Sequence, residues 1–177
     1  MLFGFAVAGG ALAQESRITI EPGAISLREG VYHLDARLDV ALAPQVVEAL
    51  DSGVPLTFEL RIEVEQKRTW LWDRSVASLL QRFQLRYHAL SQRYLLVNLN
   101  SGESRSFTAR DSALAALGRI QALPLIDRDL LSEDGTYEVW LQARLDLDDL
   151  PRLLRTVAYL SPEWRLVSEW EIWRINV

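Results

Sequence analysis

Leu56–Gln66 reads LTFELRIEVEQ, and its alternation decides the fold class. Leu56, Phe58, Leu60, Ile62 and Val64 are apolar, while Thr57, Glu59, Arg61, Glu63 and Glu65 are polar. A period of two puts these sets on opposite faces of a strand, and burial of one face only is the mark of antiparallel sheet. The same pattern recurs on both sides of this stretch. In 31–40, Tyr32, Leu34, Ala36, Leu38 and Val40 alternate with His33, Asp35, Arg37 and Asp39. In 136–147, Tyr137, Val139, Leu141, Ala143, Leu145 and Leu147 point one way.

Weaker strands are expected at Ile18–Ile20, Ala24–Leu27, Gln81–Leu90, Arg93–Asn100 and Arg105–Phe107, with a last one from Trp164 to about Ile175. Asn100-Ser101-Gly102 supplies a hairpin turn. Short helices are expected from Asp111 to Leu117, with Asp111 as N-cap and Gly118 as stop, and from Pro44 and Pro151, since a first helical residue needs no free N–H. Many short strands with few helices predict a mainly β chain: an antiparallel β-sandwich, immunoglobulin-like in general architecture, with two or three short helices at crossovers. No linker divides it, so residues 14–177 are expected to form a single domain.

The chain has 177 residues, 49% hydrophobic and 24% charged, enough for one domain with a substantial core. A net charge of -5 argues against nucleic-acid binding, which needs a basic surface to displace counterions. The first residues, MLFGFAVAGGALAQES, are apolar up to Ala11-Leu12-Ala13, the small-x-small pattern of a signal-peptidase site. Residues 1–13 therefore read as the remnant of a signal peptide and place the domain in the periplasm. The run is too short to span a bilayer, which takes about 20 residues, and no transmembrane segment is expected later. There is no cysteine, which removes disulfides, thiol chemistry and cysteine-based metal sites.

One phrase occurs twice: Ala36-Arg37-Leu38-Asp39 returns as Ala143-Arg144-Leu145-Asp146, and Pro44 returns as Pro151. Each copy reads as strand, proline-started helix, strand. The arginine and aspartate fall on the polar side of each strand, as solvated lateral ion pairs. On that side His33 of the first copy is answered by Trp140 of the second.

Catalytic signatures are sparse. His33 and His88 are the only histidines and lack partners for a zinc site, and no G-x-S-x-G marks a nucleophile elbow. Asp146, Asp148 and Asp149, like Asp127, Asp129, Glu133 and Asp134, miss the calcium-loop spacing. For Asp148 or Asp149 the expected role is to favour the positive end of the helix beginning at Pro151. Glu59, Glu63 and Glu65 share one strand face, where a solvated run is a better reading than a glycosidase pair. No catalytic residue, metal site or cofactor is expected.

Charge segregation is the stronger signal. Arg74, Arg82, Arg86, Arg93, Arg105 and Arg110 stand against the single acid Glu103, so this stretch carries +5 in a chain of net -5. Two readings compete: cross-strand pairing of Arg82 or Arg86 with the acidic Leu56–Gln66 strand, or a partner-binding face for an acidic protein, glycan or phospholipid headgroup. Of the six tryptophans, Trp70, Trp72, Trp140, Trp164, Trp170 and Trp173, several must be core. Trp140 sits on the polar side of its strand, either as a binding aromatic or beneath a covering loop. Trp170 and Trp173 differ in parity and should face opposite ways.

TWLWD (Thr69–Asp73), FQLRYHALSQRYLL (Phe83–Leu96), RLDLDDLPRLL (Arg144–Leu154) and PEWRLVSEW (Pro162–Trp170) together resemble a family of uncharacterised proteobacterial proteins of similar length, a domain of unknown function. The resemblance covers most of the chain from Tyr32 onward. It implies a signal peptide and an envelope location, and genes that often neighbour a nitrogen-regulation-type sensor kinase. It carries over no catalytic residues. The expected function is thus non-enzymatic: a periplasmic interaction protein whose partner is an envelope protein such as that sensor kinase, contacted through Arg82, Arg86, Arg93, Arg105 and Trp140. A carbohydrate- or lipid-binding module of the envelope is the alternative, and an envelope hydrolase the third.

Overall fold

The computed structural model describes residues 15–68 and 72–175. The expected signal segment 1–13 and Trp70 lie outside the described residues.

Two antiparallel sheets and three short helices share one hydrophobic core. The smaller sheet has three strands in the order β1 (Arg17–Arg28), β2 (Val31–Ala41) and β7 (Arg119–Asp127). The larger has six in the order β6-β5-β4-β3-β8-β9. In chain order these are β3 (Leu56–Lys67), β4 (Arg74–His88), β5 (Arg93–Asn98), β6 (Ser104–Phe107), β8 (Thr136–Leu145) and β9 (Glu171–Ile175). Helix α1 (Pro44–Asp51) links β2 to β3, α2 (Arg110–Leu117) precedes β7, and α3 (Arg152–Leu160) lies between β8 and β9.

The opening stretch occupies the middle of the large sheet. Its alternation works as expected: Leu56, Phe58, Leu60, Ile62 and Val64 are all buried, opposite Phe83 and Leu85 of β4 and Val139, Leu141, Ala143 and Leu145 of β8. Tyr32, Leu34 and Leu38 of β2 and Ile120, Leu125 and Ile126 of β7 complete the core from the small sheet. Removing this much apolar surface from water is the main force holding the sheets together.

Several expectations need correction. Ile18–Ile20 and Ala24–Leu27 are halves of the single strand β1, whose pairing with β2 shifts between Glu21 and Ala24 around Pro22-Gly23. Strand β4 starts at Arg74 rather than Gln81 and forms one long hairpin with β3. Strand β7 was hidden because Pro124 interrupts it, Ala122 has φ 46°, and its pairing with β2 shifts register twice. Such irregularity is tolerated at a sheet edge, where one side of the strand makes no ladder bonds. The last strand is short: Pro162–Trp164 form a 3-10 turn, Val167 makes a lone bridge to Arg144, and ladder pairing with β8 begins only at Glu171. Asp111 sits in the first turn of α2, whose N-cap is Ala109, and Pro151 is the N-cap of α3 rather than its first residue.

The repeated phrase does not make a repeated unit in space. From β2 the chain crosses through α1 into the other sheet, whereas from β8 it passes through α3 and returns to the same sheet as β9.

Candidate functional site

The outward face of the large sheet carries the polar residues of β3, β4, β5 and β8, and register decides which of them meet. Glu59 lies directly opposite Arg82 on one side and Arg144 on the other. Both guanidinium groups turn toward it: Arg144 Nε and Nη2 donate to Glu59 Oε2 at 2.8 and 2.6 Å, and Arg82 Nε lies 3.3 Å from Oε1. Arg82 Nη2 also donates to Asp146 at 2.9 Å. Thr57 Oγ1 donates to Asp149, and Asp146 N donates to Thr57 O at 2.7 Å, so the segment after β8 is laced across the start of β3. As a result Thr57 is 1% and Glu59 7% exposed on a face that alternation alone marks as solvated. Hydrogen bonds donated to Glu59 raise the pKa of the Arg144 guanidinium above its already high ordinary value.

The two copies of Ala-Arg-Leu-Asp therefore differ in role. Arg37 and Asp39 remain solvated as expected, with ion-pair distances of 3.9 Å to Glu21 and 3.6 Å to Arg17. Arg144 and Asp146 instead belong to the Glu59 network. Asp148 and Asp149 are engaged by Tyr159 Oη and Thr57 Oγ1, which is a different use from the helix-end role expected of them.

The five residues expected to form a contact surface are scattered. Arg82 is neutralised inside the network. Arg105 shares the inward parity of Leu96 and stacks over Phe107 at 5.3 Å. Trp140 is half-buried, edge-on to Trp170 at 6.2 Å with Lys67 above its ring at 5.3 Å, and its indole nitrogen is buried without a partner. The aromatic is thus covered by its neighbours rather than presented. Trp173 packs on the core while Trp170 packs on Trp140, so the two do face opposite ways.

Arg86 and Arg93 remain together. Strand β4 runs past the beginning of β3, and there His88 pairs directly with Arg93 while Arg86 sits two residues back on the same face. Arg93 is steadied by Ser106, with Nε 3.1 Å from its hydroxyl. No carboxylate among the described residues forms an ion pair with Arg86 or Arg93.

The helix expected after Pro151 forms as α3, but the sequence reading did not mark its outward apolar stripe. Its apolar residues Leu153, Val157 and Leu160 lie on one stripe at helical spacing, the pattern of a core-facing helix. Yet they are 91%, 54% and 80% exposed, and Ala158 is the only fully buried residue of α3. The helix rests on its other side, through Leu154, Arg155 and Ala158, with Arg155 Nη2 donating to Leu150 O at 3.1 Å. Their spacing was visible in the sequence, but not which face would dock.

Elsewhere, a groove of about 400 Å³ on the small sheet is lined by Glu21, Arg37, Asp39, Asp111, Leu114 and Arg119, with charges of both signs. Among the described residues, the rings of His33 and His88 engage Val31 O and Ser91. No three potential ligands among the described residues are grouped to hold a metal ion.

The fold and its outward face define a mainly β domain with a neutralised polar centre, a basic end and an outward apolar helix. Residues 15–174 match the family described as a domain of unknown function, DUF4390, and the chain belongs to that family. No curated protein and no solved structure matches the chain.

Proposed function

We propose that this domain is a non-enzymatic binding module of the bacterial cell envelope that recognises an acidic surface through the end of the large sheet bearing Arg86, His88 and Arg93. The observation that carries this reading is the contrast within the basic stretch. Arg82 spends its charge on Glu59 and Asp146, while Arg86 and Arg93, on the same face, are left for an external anion. Unpaired arginines beside apolar side chains are a combination that contact surfaces favour. The apolar opening segment ending in Ala11-Leu12-Ala13, together with the absence of cysteine, supports export to a bacterial periplasm. The gene neighbourhood of the family it resembles supports a role beside an envelope sensor kinase.

A photo-crosslinking residue placed at position 93, in living cells, tests the reading against the same residue placed at Gln121 on the small sheet. Capture specific to position 93 and abolished by Arg86→Glu is expected. Equal capture from both positions, or capture of neither protein nor lipid at position 93, refutes it.

A further inference from the structure

The same end of the molecule carries an unusual amount of outward apolar surface. Leu90, at the tip of the β4–β5 turn, is 94% exposed and thus slightly barer than Leu153 of α3. Hydrogen bonds fix how these two features are related. Thr57 near the start of β3 holds Asp149, two residues before Pro151, so α3 begins at the edge where β3 starts. Gln84 is the cross-strand partner of Thr57, and from there β4 continues through Arg86 and His88 to the turn that bears Leu90. Helix α1 closes the same end: Tyr94 Oη donates to Asp51 at 2.7 Å, behind the β4–β5 hairpin.

Charge at this end is also lopsided. Asp51 is occupied by Tyr94 and Arg110, Asp148 by Tyr159, and Asp149 by Thr57. Glu48 and Glu163 remain outside ion pairs, against Arg86, Arg93 and Arg152, none of which has a carboxylate partner among the described residues. Leucines that project from a rigid scaffold, at an end of the fold where arginines lack carboxylate partners, suit a planar boundary that is apolar within and anionic at its rim. A protein partner would need a complementary pocket for each of two separate projections. A lipid leaflet accepts both without one.

We infer that this end of the domain docks on an anionic phospholipid surface, with Leu90, Leu153, Val157 and Leu160 entering the headgroup boundary and Arg86, Arg93 and Arg152 contacting phosphates. The inference rests on the basic end being the contact surface, as proposed above, and names what it contacts. No span is implied, and no helix in the described residues is long and apolar enough to cross a membrane.

The test is co-sedimentation of the purified chain with vesicles of phosphatidylglycerol and phosphatidylethanolamine, compared with phosphatidylcholine alone. Binding to the anionic vesicles is expected, weakened by salt. Both Leu153→Ser/Leu160→Ser and Arg86→Glu/Arg93→Glu should reduce it about tenfold or more, a loss of at least about 1.4 kcal/mol, without change in melting temperature. Absence of binding to anionic vesicles, equal binding to both vesicle types, or unchanged binding by the serine variant overturns the inference. If the serine variant instead converts a dimer to a monomer in ultracentrifugation while vesicle binding is unchanged, the ridge serves a second copy of the chain and the inference is also overturned. Persistent crosslinking to a protein at position 93 without vesicle binding overturns the lipid assignment alone, whereas loss of both overturns the contact surface itself.

Discussion

Replacing Glu59 by Gln tests whether the polar centre of the large sheet holds the fold together. The substitution keeps shape and removes the charge that stands between Arg82 and Arg144. Breaking a fully buried ion pair by neutralising one partner costs about 3–5 kcal/mol, because the other charge is left desolvated. Here Glu59 is buried, but the arginine side chains are 35% and 45% exposed, and Arg82 retains Asp146. Solvent therefore screens part of the loss, and a cost of about 2 kcal/mol is expected. In a chain of this length, each kcal/mol moves the melting temperature by about 2–4 °C, so a fall of about 4–8 °C should be seen. Urea unfolding should show a lower midpoint with an unchanged slope. The internal control is Glu21→Gln, which removes the exposed 3.9 Å contact to Arg37 in the other copy of the repeat and should cost about 0.5 kcal/mol or less. If Glu59→Gln destabilises no more than Glu21→Gln, the argument that register turned one copy of the repeat into structure is wrong.

Three further outcomes are expected. The Tyr94 phenol is pushed up from 10.0 to about 12, by burial first and by its hydrogen bond to Asp51 second. A raised acid favours folding while neutral, so its contribution is complete below about pH 10 and is lost as pH rises toward 12; absorbance titration should detect it, and Asp51→Asn should lower that value without restoring it fully. Gly118→Ala should cost about 1–3 kcal/mol in thermal unfolding, because an added Cβ would lie 2.1 Å from the backbone oxygen of Leu38, which neither chain segment can yield cheaply. Leu150→Ala, at a buried position beside α3, should cost about 2–5 kcal/mol, whereas Leu153→Ser should leave calorimetric stability within about 0.5 kcal/mol; equal losses would mean the outward stripe is packed in the folded state.

The sequence by itself determined the strands whose burial is one-sided and regular. Alternation in Leu56–Gln66, 31–40 and 136–147 marked β3, β2 and β8, because a two-residue period has only one structural meaning when every second side chain must leave water. Charge placement likewise anticipated the Arg82–Glu59 pairing. Strand β7 escaped because proline and a left-handed alanine erase periodicity at an edge that does not need it. Only the tertiary structure decided what the polar residues do. Register brought Arg82 and Arg144 to opposite sides of Glu59, and the return of the chain after β8 covered Thr57, while the matching Arg37 and Asp39 stayed in water. It also decided the direction of α3: a helical stripe states that a face exists, but whether it turns inward depends on how the loop from Asp146 to Pro151 is anchored to β3. That anchoring, through Thr57 and Asp149, joins residues far apart in the chain, and no local pattern encodes it.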